Sequence, residues 1–269
     1  MNKIVIVRGG GDIATGTIQK LYRVGFKLLI LETAQPTCIR TTVSCAQAIY
    51  DSSLQIEDMI IKKVNKLEEI YETWNKGQIP IIVDEKGLYI EKLKPYVVVD
   101  GILAKKNLGT SRDMAPITIG LGPGFVAGED VDLVIETKRG HNLARLIFSG
   151  PAAANTGRPG EIQGYSQERI LRAPESGPIQ LVAAIGDFVE KDQTLAYVNG
   201  KEVKAGLRGM VRGLIQEGSL VFKGMKIGDV DPRRDKNNLY TISDKARAIG
   251  GGVLEGILIL ENKLEKQEG

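Results

Sequence analysis

The chain is poor in the residues that build metal centres and disulfide frameworks. Of its 269 residues, two are cysteine, one is histidine and one is tryptophan. Six residues lie between Cys38 and Cys45, which is not a zinc-knuckle spacing and makes no disulfide framework. A single histidine, His141, excludes a His-rich metal site, so no metal is expected. No run approaches the ~18 apolar residues of a membrane span, and the apolar Ile4–Val7 meets Arg8 and glycines too soon to be a signal peptide. The expectations are no membrane association and a cytoplasmic location. Excess charge of one sign is also missing. Lys and Arg number 36 against 33 Asp and Glu, which argues against the basic footprint of a nucleic-acid binder.

What is present is ordinary globular material. The chain is 42% hydrophobic and 26% charged, with length for one large or two modest domains and a core that needs no staples. Ile4-Val5-Ile6-Val7 is a β-branched run of the kind that forms a buried parallel strand. Gly9-Gly10-Gly11-Asp12 interrupts it. Ile13, Ile18, Leu21 and Val24 then recur near helical spacing, Gly25 stops the helix, and Lys27–Leu31 is a second buried strand that reaches Glu32.

Strand, glycine turn, helix, strand and acid form the Rossmann-type nucleotide-binding pattern, with Gly9-x-Gly11-x-x-Ala14 as its fingerprint. Gly9 permits the tight turn, Gly11 lets a phosphate approach the backbone, and Ala14 lets helix and strand pack closely. Gly10 and Asp12 complete the loop, although a carboxylate beside a pyrophosphate departs from the usual small neutral residue. The helix start offers N–H groups and a positive dipole end to an anion. Glu32 suits a ribose diol and would repel a 2′-phosphate.

Further on, Val43–Tyr50 and Leu67–Trp74 read as helical. Ile79–Val83, Tyr96–Val99, Ile117–Leu121 and Asp132–Ile135 read as buried strands, so a parallel doubly wound sheet is expected. Asp100 and the run Gly120-Leu121-Gly122-Pro123-Gly124 end two of these strands, where ligands of such sheets sit. Asp100, Gly122 and Gly124 are therefore candidate pocket edges. Between Gly186 and Val230, short apolar runs separated by glycines suggest a small β barrel-sandwich of the lipoyl or biotinyl kind. Asn199-Gly200 is a type I′ turn signal, with Lys201 beside it. That lysine lacks the flanking context of a modified one, so an unmodified scaffold is expected. Ser243–Lys263 reads as a final helix capped by Ser243. Gly250-Gly251-Gly252 inside it would cost about 2–3 kcal/mol relative to alanine, which close approach of another backbone, the favoured reading, or a break at a ligand would account for. The expected organisation is a Rossmann-like domain over 1–140, a β-rich domain over 141–235, and a C-terminal helix over 236–269 packing back on the first.

Several segments together resemble the YqeB family of accessory proteins for selenium-dependent molybdenum hydroxylases. They are Gly9–Asp12, Gln35–Arg40, Ala115–Phe125, Ile135–Leu143, Gly228–Arg233 and Ser243–Gly252. Thr41 and Cys45 depart from the family's pattern. The resemblance implies a role in maturing a molybdenum hydroxylase client enzyme, with molybdopterin dinucleotide or NAD as candidate nucleotide-bearing ligand. Under it, Cys38 is read as a thiolate that could carry sulfur or selenium, activated by Arg40. Arg139 with His141 is read as a holder of a phosphate or pterin edge. Self-association is left open. The alternative is an NAD-dependent oxidoreductase acting on a small molecule, against which no Ser–Tyr–Lys arrangement and no paired His and Asp are found.

Overall fold

The computed structural model describes residues 3–157, 160–233 and 235–268. Two compact units emerge: Met1–Pro36, Ser44–Asn155 and Ile242–Gly269 form one, and Thr37–Val43 with Thr156–Thr241 form the other. These boundaries differ from the sequence expectation. The short segment 37–43 belongs to the second unit and 141–155 to the first, while the final helix packs with the first unit as expected.

The first unit is a mixed α/β unit. Its strands are β1 (Ile4–Arg8), β2 (Lys27–Glu32), β3 (Ser53–Ile56), β4 (Met59–Lys63), β5 (Ile79–Val83), β6 (Val97–Asp100), β7 (Ile117–Leu121), β8 (Val126–Ala127), β9 (Leu133–Ile135), β10 (Leu146–Ile147) and β11 (Gly150–Pro151). Its helices include α1 (Asp12–Arg23), α2 (Ala48–Asp51), α3 (Leu67–Asn75) and α4 (Leu88–Leu93); α5 (Asn237–Tyr240) lies in the second unit, and α6 (Asp244–Glu268) returns to the first.

Nine strands hydrogen-bond in the order β10-β9-β7-β6-β1-β2-β5-β4-β3. The strands from β9 to β4 run parallel, and β10 and β3 join antiparallel at the edges. β8 and β11 form a separate antiparallel ribbon. The β-branched runs are continuous because both faces are covered. Val5, Val7, Leu28 and Ile30 point to the side of α1 and α6, with Ile18, Leu21, Ile249 and Val253 in the same core. Ile6, Leu29, Leu31 and Val98 point to the other side, with Ile70 of α3 and Ile90 of α4.

Two sequence expectations are corrected here, and one element went unread. In place of one helix over Val43–Tyr50, a 3-10 turn ends at Val43, a second spans Cys45–Gln47 and the four-residue α2 follows. β3 and β4 make a hairpin whose tip includes Glu57 at φ 48°. No α-helix connects β6 to β7 or β7 to β9; α6 packs against both strands instead.

α6 is continuous through its three glycines. A methyl group on Gly250 would collide with the carbonyl oxygen of Gly16 in α1, and one on Gly16 with that of Ala246. At Gly252 it would lie 2.8 Å from the Ala144 carbonyl oxygen. Close backbone approach therefore explains two of the three. Gly16 meets Ala246, and Lys20 meets Gly250, so α1 and α6 run parallel.

The second unit contains two four-stranded antiparallel sheets. Their strands are β12 (Ile170–Arg172), β13 (Gly177–Leu181), β14 (Phe188–Val189), β15 (Thr194–Val198), β16 (Lys201–Lys204), β17 (Gly209–Leu214), β18 (Leu220–Val221) and β19 (Lys226–Asp231). The orders are β12-β19-β17-β14 and β16-β15-β13-β18. Ile179, Val189, Leu195, Val211, Ile227 and Val230 are among the side chains of its core. Asn199 at φ 50° and Gly200 at φ 74° form the two-residue loop between β15 and β16, the left-handed pair a type I′ turn requires. From the preceding segment, Arg40 bridges in parallel to Leu214.

Candidate functional site

Strand order reverses between β1 and β6, so the carboxyl ends of these two strands face the place where open α/β sheets bind ligands. β1 ends there in the three glycines. Gly9, at φ +86°, donates its N–H to the Leu31 carbonyl at 2.8 Å, and a side chain on it would press on the Ile102 backbone. Gly10 is packed as well. Its carbonyl accepts the Ala46 N–H at 2.9 Å, and an added methyl would lie 2.9 Å from that nitrogen. Gly11 differs from both. It caps α1 in extended conformation, and nothing lies within 4 Å of where its Cβ would be. Ala14 is fully buried against Gly101, where an added Cβ would come within 2.9 Å of it. The loop is thus open to approach beside Gly11, at the positive end of the twelve-residue α1.

Glu32 turns back onto this loop. Its two carboxylate oxygens accept the N–H groups of Gly10 and Thr33, each at 2.8 Å. Burial pushes the carboxyl above its usual range, the two N–H bonds pull it the other way, and nearby Glu85 adds to the rise. The carboxylate therefore braces the glycine turn, and its remaining lone pairs face a ribose only if the ligand lies against Gly10.

Three expected pocket edges are packed into the protein. Asp100 is 1% exposed. It accepts the Thr110 hydroxyl at 2.5 Å and the Ile102 N–H at 3.1 Å, and lies 3.6 Å from the Arg8 guanidinium. Arg8 also bonds to Thr110 and to the Leu108 carbonyl, so the network pins the 101–116 loop over the ends of β1 and β6. Burial dominates at Asp100 and raises its pKa despite the hydrogen bonds and Arg8. A Cβ at Gly122 would sit 2.5 Å from the Thr137 hydroxyl oxygen, and one at Gly124 2.7 Å from the Lys106 nitrogen.

A polar cluster lies between the starts of α1 and α6. Arg139 makes a bidentate pair with Asp244 at 2.7 and 2.9 Å. That pair holds the Asp244 carboxyl well below the usual carboxylate range. Buried Glu136 accepts the N–H groups of Lys138 and Ala153 at 2.7 and 2.8 Å. Lys245 faces Arg139, Asp12, Glu136 and Asp244, and its pKa is lowered chiefly by burial and then by Arg139. His141 is exposed on the loop that follows Arg139. Sequence reasoning named Arg139 and His141 but not Arg8, Glu136 or Lys245. A charge set directly at the end of an apolar strand run, as at Arg8 and Glu136, was the available signal.

Cys38 and Arg40 fall in the second unit and not on the sheet that carries the glycine loop. Arg40 is buried and donates to the carbonyls of Asn238 and Thr241 at 2.9 and 3.3 Å, anchoring the end of α5. Cys38 is half-buried. Cys45 is fully buried in the first unit, its N–H bonded to the Thr15 hydroxyl at 3.0 Å. Lys201 is exposed and lies 3.7 Å from Glu175.

Among the described residues, no group of three or more His, Cys, Asp or Glu side chains could hold a metal ion, and no helix is long and apolar enough to cross a membrane. A cleft of about 1010 Å³, with Ile4, Tyr96 and Pro116 in its lining, lies at the opposite, amino-terminal ends of β1, β6 and β7.

No protein-family model matches the chain. It is 47% identical over 259 residues to a curated Escherichia coli K12 protein named "Uncharacterized protein YqeB", an alignment covering 96% of this chain and 48% of that one. The chain therefore spans about half the length of this relative, and the identity supports the resemblance to the YqeB family over the shared segment. Similar solved structures include an aspartoacylase family protein from Mesorhizobium loti, with a TM-score of 0.27 at 8% identity over 86% of this chain and 85% of that one. Another is the apo ectoine utilization protein EutE (DoeB) from Ruegeria pomeroyi, with a TM-score of 0.26 at 8% identity over 85% and 86%. Likeness at this level carries no argument about fold or activity.

Proposed function

We propose that this chain is an accessory protein in the maturation of a molybdenum hydroxylase, and that it holds a nucleotide-bearing ligand at Gly9–Ala14. The sheet of the first unit is read as Rossmann-type, and the second unit as a barrel-sandwich-like scaffold whose Lys201 stays unmodified. Molybdopterin dinucleotide or NAD is the ligand class. The observation that carries the binding reading is the open approach at Gly11, on a helix N-terminus where the strand order reverses. The maturation role comes from the family resemblance, with the client enzyme as partner.

The test is titration calorimetry of the full chain with NAD and with ADP. The wild type is expected to bind, and Gly11→Val to lose about tenfold or more in affinity, equivalent to about 1.4 kcal/mol or more, at an unchanged melting temperature. Unchanged affinity in the folded variant overturns the site. Turnover of a small hydroxylated substrate with NAD would make the protein an oxidoreductase instead.

A further inference from the structure

A second charged group is concentrated in the β12-β19-β17-β14 sheet, and the glycine-loop site makes no use of it. Arg169 makes a bidentate pair with Asp229 at 2.8 and 2.9 Å, and its Nη1 reaches the Gly160 carbonyl at 3.0 Å. Arg233 makes a bidentate pair with Asp231 at 2.6 and 2.9 Å. Between the two carboxylates stands Arg212, 3.7 Å from each. Those are ion-pair separations too long for hydrogen bonds.

The backbone accounts for the placement of Arg212. Val211 pairs with Val230 and Gly213 with Asp229, so Arg212 is the extra residue of a β-bulge. Bulges re-aim a side chain out of the regular alternation and recur beside functional sites. The re-aimed side chain is 15% exposed, its Nε is buried without a hydrogen-bond partner, and none of its N–H groups donates a hydrogen bond among the described residues.

The charge pattern points the same way. Among the described residues, the guanidinium groups of Arg169, Arg212 and Arg233 share the carboxylates of Asp229 and Asp231, and Lys226 adds to the positive side of Asp229. A buried N–H such as the Arg212 Nε is costly without an acceptor unless another group satisfies it. The planar fork of a guanidinium matches two oxygens of a phosphate or carboxylate.

We infer that Arg212 is the anchor of an oxyanion-binding site in the second unit, one that takes the phosphoryl or carboxylate group of a small molecule. The site is separate from the glycine loop and does not depend on the reading of that loop. Arg169 and Arg233 offset the charges of Asp229 and Asp231 beside the fork by bidentate pairing, and the bulge sets the direction of the Arg212 side chain.

Thermal melting of the full chain tests this, with inorganic phosphate and acetate as separate probes against sodium chloride at matched ionic strength. The expected result is a saturable rise in Tm with at least one oxyanion, retained in Gly11→Val and lost in Arg212→Met. Arg212→Lys, which keeps the charge without the fork, should lose most of the rise and serves as the readout if the methionine variant fails to fold. A phosphate-only response identifies a phosphoryl site, and a response to acetate a carboxylate site. No rise beyond chloride in the wild type, or an equal rise in the Arg212 variants, overturns the inference. A rise that survives in both Arg212 variants and disappears in Gly11→Val assigns the anion to the glycine loop and overturns it as well.

Discussion

Truncating Asp100 to alanine should leave the Arg8 guanidinium buried without its carboxylate. Breaking one side of such a pair costs about 3–5 kcal/mol, so Asp100→Ala is expected to lose that much in urea unfolding. Arg8→Met with Asp100→Leu, which removes both charges, should recover a large part of it. A double variant as unstable as the sum of the singles would show that the two groups are not coupled. The same residues show what a sequence hides. Asp100 ends an apolar strand, as a ligand-binding carboxylate would, and its type and position are legible. Its partner Thr110 lies ten residues away in a loop without periodicity, and only the fold brings the two together. Gly122 and Gly124 behave alike: their location at a strand end was readable, but the Thr137 and Lys106 atoms that fill the space beside them were not.

Among the elements, α6 allows neighbouring glycines to be told apart. Alanine at Gly251, which meets nothing within 4 Å, should stabilise the helix by about 0.5–1 kcal/mol through propensity alone. Alanine at Gly250 gains the same propensity but must displace the Gly16 carbonyl, and overpacking of this kind costs about 1–3 kcal/mol. Gly250→Ala should therefore melt below the wild type and Gly251→Ala above it, by calorimetry. Equal shifts would remove the close α1–α6 contact as the reason for the triplet. Strands β1, β2, β5 and β7 were legible because each carries a short, mainly apolar run with almost no charge inside it. The β3–β4 hairpin was not, since its tip, Glu57-Asp58, has neither glycine nor asparagine to signal a left-handed turn. The 3-10 turn after Val43 and the short α2 were read as one helix because their buried side chains, Cys45, Ala46, Ala48 and Ile49, recur at intervals that also suit an α-helix.

At the scale of the chain, the second unit is assembled from two distant stretches, and nothing in the composition of residues 37–43 marks them as part of it. Ile39 packs on that unit's core, its carbonyl lies where a Cβ on Gly213 would be, and Arg40 closes the end of α5. A fragment of residues 156–241 alone should consequently melt lower than the same fragment with residues 37–43 fused through a flexible linker. In a domain of this size the gap is expected at roughly 4–8 °C for each kcal/mol that the segment contributes. Identical melting curves would make the segment a passive connection. The parallel seat of α6 has a different consequence, one of timing. Its sheet partner β9 ends at Ile135, and α6 begins at Asp244. A ribosome adding about 5–20 residues per second delivers the helix roughly 5–20 s after the strand it covers. Throughout that interval Ile119, Leu133 and Ile135 lack the α6 side chains that share their core, so the nascent chain presents an apolar surface that the finished molecule buries.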